Sequence, residues 1–130
     1  MSEKIIKNWL ALAEYDITSA EAMLQTGRYV YVTFMCQQAI EKVMKALYVQ
    51  EHQQTPPYTH NLIRLLGMLS FTNETAIDDR DFFERLNTYY LESRYSETVF
   101  ELYKTITKEQ ASAIYHETER LYQWLLDKIL

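Results

Sequence analysis

Apolar residues recur every three or four positions along most of the chain, which is the spacing of one buried face of an α-helix. A first helix is predicted for residues 2–25 and a second for residues 29–51, joined in an antiparallel manner through Gly27 and Arg28. The segment 52–58 contains two adjacent prolines, which cannot continue a helix. The first half of the chain therefore predicts a helical hairpin followed by an irregular segment.

A third, shorter helix is predicted from about residue 62 to Phe71, because leucines and an isoleucine follow one another there at helical spacing. Thr59 or Asn61 is placed to cap its first turn. Gly67 inside a helix costs about 1 kcal/mol relative to alanine. We therefore expect close packing of Gly67 against a neighbouring element to offset this cost.

The last third of the chain predicts two further helices. The fourth is expected to be capped by Asp78 or Asp79 and to fray around residues 94–96. Residues 98–106 are ambiguous between a loop and an extra helical turn. The final helix begins at residues 107–110, where a threonine is followed three positions later by a glutamine, the pattern of a capping box. These elements predict an all-α protein.

Composition agrees with a helical domain. The chain has 130 residues, enough for one domain with a useful core, and it contains only two glycines and two prolines, too few for many tight turns. No repeat or linker divides it, so a single domain covering residues 1–130 is predicted. The only cysteine, Cys36, lies on the apolar side of the second helix and is expected to be a buried, inert thiol.

Charge and hydropathy limit the possible partners. The formal net charge of −5 argues against broad electrostatic binding of nucleic acid, which depends on clustered Lys and Arg. Glu3, Lys4 and Lys7 interrupt the N-terminus, and no apolar run approaches the roughly 20 residues of a membrane span. We therefore expect a cytoplasmic protein with no membrane association. No pattern for a metal or a cofactor is present, so neither is predicted.

A row of polar residues on the second helix is the main candidate for function. Gln38, Glu41 and Lys45 lie on one face, opposite the apolar face. A plainer explanation is a solvated face whose Glu41–Lys45 pair contributes about 0.2–0.5 kcal/mol. His60 and the Arg94-Tyr95 pair are the other polar groups with binding chemistry, although His60 also suits a helix start and Arg94 a helix end. The candidate ligand-binding residues are Gln37, Gln38, Glu41, Lys42, Lys45, His60, Arg94 and Tyr95.

These residues also carry a resemblance to a known family. The pattern is Phe34-x-x-Gln37-Gln38-Ala39-x-Glu41-Lys42-x-x-Lys45-Ala46-Leu47, then His60-Asn61-Leu62, Arg94-Tyr95 and an amphipathic last helix with Trp124. It resembles the HEPN domain family, the nucleotide-binding domain of higher eukaryotes and prokaryotes, over nearly the whole chain. The resemblance implies an up-and-down bundle of four main helices plus a short helix, commonly a homodimer. Small members are often paired with a minimal nucleotidyltransferase as toxin and antitoxin.

Catalysis is left open by the same resemblance. Many family members are metal-independent ribonucleases with an arginine followed, after four to six residues, by a histidine. After Arg94 those positions hold Val99, Phe100 and Glu101, so no histidine is present. His60 is a substitute only if folding brings it near Arg94. Three functions therefore remain: a module that binds a nucleotide, RNA or a partner protein, a ribonuclease with an atypical acid-base residue, and a scaffold without ligand.

Overall fold

The computed structural model describes residues 2–130, except for the side chain of Ser96, and over that range it contains helices and no strand. A single turn of 3-10 helix lies at Thr72–Glu74. The α-helices of this range are α1 (Ser2–Gln25), α2 (Tyr29–His52), α3 (Leu62–Gly67), α4 (Ile77–Arg94), α5 (Ser96–Thr105) and α6 (Lys108–Leu126). The long helices α1, α2, α4 and α6 are the four main helices, which confirms the predicted all-α class.

The hairpin of α1 and α2 turns at Gly27. Its φ of +78° lies in the left-handed region, which glycine adopts without the cost that a Cβ imposes. The backbone N–H of Arg28 donates to the carbonyl of Met23 at 2.8 Å, so the last carbonyls of α1 are satisfied as the chain reverses. The predicted antiparallel connection is confirmed.

Helix α2 lies at the centre of the bundle and packs against α1, α3, α4 and α6. Burial raises the pKa of the Cys36 thiol to about 12, so the thiol stays neutral, as expected for a structural cysteine. The predicted apolar face is fully buried and consists of Val32, Cys36, Ala39, Ile40, Val43, Ala46 and Leu47.

Helix α3 is shorter than predicted and ends at Gly67. Asn61 caps it, because its Oδ1 accepts from the backbone N–H groups of Ile63 at 3.0 Å and Arg64 at 3.3 Å. The expectation of close packing at Gly67 is wrong, since a Cβ there would meet nothing within 4 Å. Gly67 ends the helix rather than lying inside it, so there is no interior cost to offset.

Helix α4 begins without the predicted aspartate cap. Ala76 is its N-cap and makes no side-chain hydrogen bond, while Asp78 and Asp79 lie in the first turn. Carboxylates in the first turn still stabilise a helix through its dipole. Asp78 and Asp79 therefore stabilise α4 by their charge and not by capping it.

The ambiguous segment before α6 is helical. In α5, Leu102 is buried while Phe100 and Tyr103 are exposed, so this helix has one face on the bundle and one face in solvent. The capping box of α6 is confirmed in both directions. The Gln110 N–H donates to Thr107 Oγ1 at 3.1 Å and the Thr107 N–H donates to Gln110 Oε1 at 3.0 Å.

Candidate functional site

Glu41 is the centre of a buried polar network on α2. Its side chain is 4% exposed, and Oε2 accepts a hydrogen bond from Lys45 Nζ at 3.0 Å. Oε1 accepts from His60 Nδ1 at 3.0 Å and from Gln37 Nε2 at 3.3 Å. A buried carboxylate is costly unless it is paired and hydrogen-bonded, and this carboxylate is both. We call Gln37, Glu41, Lys45 and His60 the polar network.

Lys45 lies under the first helix rather than in solvent. Its side chain is 8% exposed, and its Nζ lies 5.4 Å from the centre of the Trp9 ring of α1. An ammonium over an indole ring is attracted by the ring quadrupole. The Glu41–Lys45 pair is therefore not a solvated surface pair, because the α1–α2 hairpin encloses it.

Gln37 joins the network to the segment before α3. It is fully buried, and its Nε2 donates to the backbone carbonyl of His60 at 2.7 Å as well as to Glu41. Its Oε1 accepts from Gln38 Nε2 at 2.8 Å. Both the nitrogen and the oxygen of the Gln37 amide are therefore hydrogen-bonded. Gln37 holds His60 directly through its backbone carbonyl and indirectly through the Glu41 carboxylate.

His60 reaches from this network into a surface pocket. Its side chain is 36% exposed, and the same pocket is lined by Arg94 from the end of α4. Folding thus brings these two residues to one cavity, although the sequence separates them by an irregular segment and two helices. The pocket has a volume of about 320 Å³ and is lined by Thr59, His60, Asn61, Asn87, Tyr90, Leu91 and Arg94.

Tyr90 connects the His60 and Arg94 side chains of the pocket. Its hydroxyl accepts from Arg94 Nη1 at 2.7 Å, and its ring centre lies 5.1 Å from that of His60. Phe34 of α2 also stacks on Tyr90, with ring centres 5.5 Å apart. Burial raises the pKa of the Tyr90 hydroxyl, although the nearby Arg94 opposes the shift. The phenol therefore keeps its proton while its oxygen accepts the hydrogen bond from Arg94.

Two asparagines complete the wall of the pocket. Asn87 Nδ2 donates to Asn61 Oδ1 at 3.0 Å, and Asn87 Oδ1 accepts from the backbone N–H of Leu62 at 3.0 Å. They fix the start of α3 against α4. Sequence reasoning missed Asn87, although its spacing of three and seven residues from Tyr90 and Arg94 places all three on one helix face.

Of the eight predicted site residues, only His60 and Arg94 line the pocket, and two others neither line it nor hydrogen-bond to the polar network. Lys42 forms an ion pair with Asp16 of α1, and both side chains are largely buried. Tyr95 follows α4 directly, is 61% exposed and does not line the pocket. The structure thus joins Gln37, Gln38, Glu41, Lys45 and His60 through hydrogen bonds and brings Arg94 to the same cavity as His60.

Two further properties bear on the chemistry of the site. Among residues 2–130, no group of three His, Cys, Asp or Glu side chains is arranged to hold a metal ion. None of the helices described combines the length and the apolar character that crossing a membrane requires.

Comparison with known proteins places this geometry in context. A family model described as the HEPN domain matches residues 6–129. The fold is similar to the crystal structure of TT1696 from Thermus thermophilus, with 21% identity, a TM-score of 0.82, and 95% of this chain and 98% of that chain covered. It is also similar to ST0689, an archaeal HEPN homologue, with 23% identity, a TM-score of 0.72, and 96% and 98% covered. No curated protein matches the chain.

Proposed function

This chain belongs to the HEPN domain family, and on that premise we propose that residues 1–130 form a single HEPN domain that binds a nucleotide or an RNA end in the pocket beside α4. The observation that carries the proposal is that His60 and Arg94 line one cavity. A guanidinium matches phosphate oxygens, and an imidazole and amides match the edges of a sugar or base. The volume of about 320 Å³ suits one nucleotide unit rather than a duplex.

The proposal gives each predicted site residue a role. Arg94 binds the phosphate, His60 contacts the ribose or the base, and exposed Tyr95 offers a ring for a base to stack on. The remaining residues do not touch the ligand but hold His60 and the hairpin of α1 and α2 in place. Gln37, Gln38, Glu41 and Lys45 hold His60, whereas Lys42 serves only the hairpin, through its ion pair with Asp16.

Titration with ATP and with short single-stranded RNAs tests the proposal. Arg94→Ala removes a charge-assisted hydrogen bond of about 1.5–3 kcal/mol, so we expect affinity to fall by about ten- to a hundredfold. Arg85→Ala is the matched control, because Arg85 is also an exposed arginine on α4 but lines another pocket. Absence of binding by the wild type, or equal losses in both variants, would overturn the proposal.

We also propose that the domain acts in the cytoplasm with a minimal nucleotidyltransferase as a toxin and antitoxin pair. Family membership supports this pairing. Co-purification of the two proteins from cells that express both genes is the expected result. A nucleotidyltransferase encoded beside this gene that neither binds the domain nor changes its effect on growth would exclude the pairing.

A homodimer is the assembly that we propose for the domain. Tyr90 is buried in the bundle, but Leu91, Tyr95, Phe100 and Tyr103 stay exposed at the end of α4 and along α5. Such an apolar surface suits a second copy of the chain. Light scattering should give a dimer mass for the wild type and a monomer mass for Phe100→Glu. Tyr15→Glu, at an exposed tyrosine on α1, is the control and should stay dimeric.

Metal-independent RNA cleavage is a second candidate function, favoured by the hydrogen bond between Glu41 and His60. A carboxylate that orients an imidazole is the arrangement of a general base. His60 would take the proton of a ribose 2′-hydroxyl as its oxygen attacks the adjacent phosphorus. A 2′,3′-cyclic phosphate forms and the bond to the 5′-oxygen breaks, with a proton passing to that oxygen.

Cleavage assays in EDTA separate the two functions. Activity that disappears in both His60→Asn and Arg94→Ala supports the ribonuclease. Binding of RNA without cleavage at any pH between about 6 and 9 leaves the binding module as the function.

A further inference from the structure

The hydrogen bond between Glu41 and His60 fixes the position of a proton. The Glu41 carboxylate forms an ion pair with Lys45 at 3.0 Å, and an ionised carboxylate can only accept hydrogen bonds. The proton in the 3.0 Å contact between Glu41 Oε1 and His60 Nδ1 therefore belongs to the ring nitrogen. A neutral imidazole with its proton on Nδ1 has a bare lone pair on Nε2.

The second ring nitrogen of His60 is open. Among the described residues, Nε2 of His60 makes no hydrogen bond to the protein, and His60 lines the pocket together with Arg94. The pocket thus contains an acceptor on one residue and a cationic donor on another. Two unlike groups in one small cavity select a ligand by the order of its own donors and acceptors.

We propose that Lys45 and Gln37 are positioning residues that act through Glu41 to hold His60 as its Nδ1-protonated tautomer, so that the pocket selects ribonucleotides over deoxyribonucleotides. The inference rests on the proposed function of nucleotide binding. The bare Nε2 accepts from a ribose hydroxyl, which carries a proton. It repels a phosphate oxygen, which offers only lone pairs, so the phosphate is directed to Arg94.

Lys45 and Gln37 have separate parts in this arrangement. Lys45 supplies the charge opposite the Glu41 carboxylate from within the bundle, beside Trp9. Gln37 holds the backbone carbonyl of His60 at 2.7 Å and Glu41 Oε1 at 3.3 Å, so it sets the distance between the carboxylate and the ring. Neither side chain needs to touch the ligand to decide which nitrogen faces it.

Long-range ¹H–¹⁵N NMR of the imidazole rings tests the tautomer directly. At a pH of about 8, where an ordinary imidazole is neutral, we expect His60 to show a protonated Nδ1 and a bare Nε2. His52 is the internal control, because its Nε2 lies 2.8 Å from the Met68 carbonyl and must carry the proton. A His60 ring protonated on Nε2 in the wild type would overturn the proposal without any variant.

Variants test the positioning roles. Lys45→Met and Gln37→Leu should shift His60 toward a mixture of tautomers, whereas Lys42→Met should leave it unchanged. Lys42 is a matched control, since it also forms an ion pair from α2 but with Asp16 and not with the network. An identical His60 spectrum in Lys45→Met and Lys42→Met would exclude a positioning role for Lys45.

The selectivity is measured with adenosine 3′-monophosphate and its 2′-deoxy analogue. We expect the ribonucleotide to bind about five- to tenfold more tightly in the wild type, the value of one hydrogen bond. The preference should disappear in Lys45→Met. Equal binding of the two probes would refute the inference while leaving the proposed function intact. If neither probe binds while the tautomer is as expected, the fault lies with the proposed function instead.

Discussion

Helix α2 buries two faces, and they deal with burial in opposite ways. On one face Cys36 lies among aliphatic side chains, and burial keeps its thiol neutral by raising its pKa to about 12. On the other face Glu41, only five residues further, is almost as deeply buried but is surrounded by partners. One face excludes charge, and the other face collects it.

The difference shows which face the fold requires. Apolar burial stabilises the bundle by about 25 cal/mol per Å², and the Cys36 face supplies it. A buried ion pair is weak support, because an apolar replacement of both partners is often neutral or stabilising by about 1–4 kcal/mol. The Glu41 face therefore adds little to stability, but it reaches a pocket through His60. The proposed function gives this face a purpose in ligand binding.

The largest effect is expected when one charge of the buried pair is left alone. Glu41→Leu leaves the Lys45 ammonium without its partner, and we expect unfolding free energy to fall by about 3–5 kcal/mol. The double variant Glu41→Leu/Lys45→Met removes both charges and should recover most of that loss while still lacking the preference for the ribonucleotide. Urea denaturation measures both. A double variant less stable than Glu41→Leu would contradict this view of the polar face.

A smaller loss is expected at the neighbouring ion pair, which does not reach the pocket. Asp16→Ala removes the partner of Lys42, whose side chain is 18% exposed and so partly solvated. We expect a loss of about 1.5–3 kcal/mol in unfolding free energy, the value of a charged hydrogen bond. Nucleotide affinity should not change. A parallel loss of affinity would mean that the two ion pairs do not differ in role.

The protein should become less stable at alkaline pH because of the thiol on its apolar face. The pKa of Cys36 is raised from 9.0 to about 12, so its contribution is complete below pH 9 and is lost as pH rises toward 12. By pH 10 the loss should be about 1.4 kcal/mol. Burial also raises the pKa values of Tyr90 and Tyr122, which adds to the decline above pH 10. In Cys36→Val the thiol part should vanish, so stability measured from about pH 8 to 10 should be flatter than in the wild type. An unchanged slope would contradict this assignment.

The smallest effect concerns the link between the pocket residues. Tyr90→Phe keeps the ring that contacts Phe34 and His60 but removes the hydroxyl that accepts from Arg94. We expect affinity to fall by only about two- to tenfold, the value of one hydrogen bond, with little change in melting temperature. Calorimetric titration measures the affinity, and thermal unfolding measures the melting temperature. A large drop in melting temperature would show that the hydroxyl serves the fold.

Much of the fold follows from local rules. The turn at Gly27 and the capping box at Thr107 are set by neighbouring residues, so the sequence predicts them. The end of α3 at Gly67 and the start of α4 at Ala76 differ from the prediction, because helix ends are uncertain by one or two residues and several nearby residues could serve as caps. The polar row on α2 was visible as a pattern, but its burial was not. The row is seen to be enclosed only once Trp9 is found packed beside Lys45 and His60 is found hydrogen-bonded to Glu41.

The pocket itself required the fold. Asn87, Tyr90 and Arg94 share a face of α4 by spacing alone, but nothing in the sequence places that face beside residues 59–61. Asn87 joins the two parts, because its Nδ2 donates to Asn61 Oδ1 and its Oδ1 accepts from the Leu62 N–H.

Amide NMR spectra recorded during a titration with adenosine 3′-monophosphate test the central claim most directly. The account predicts that the resonances which move belong to residues 59–61 and 87–94, together with the His60 ring. Movement confined to α1 and α6, or no movement at millimolar nucleotide, would contradict it.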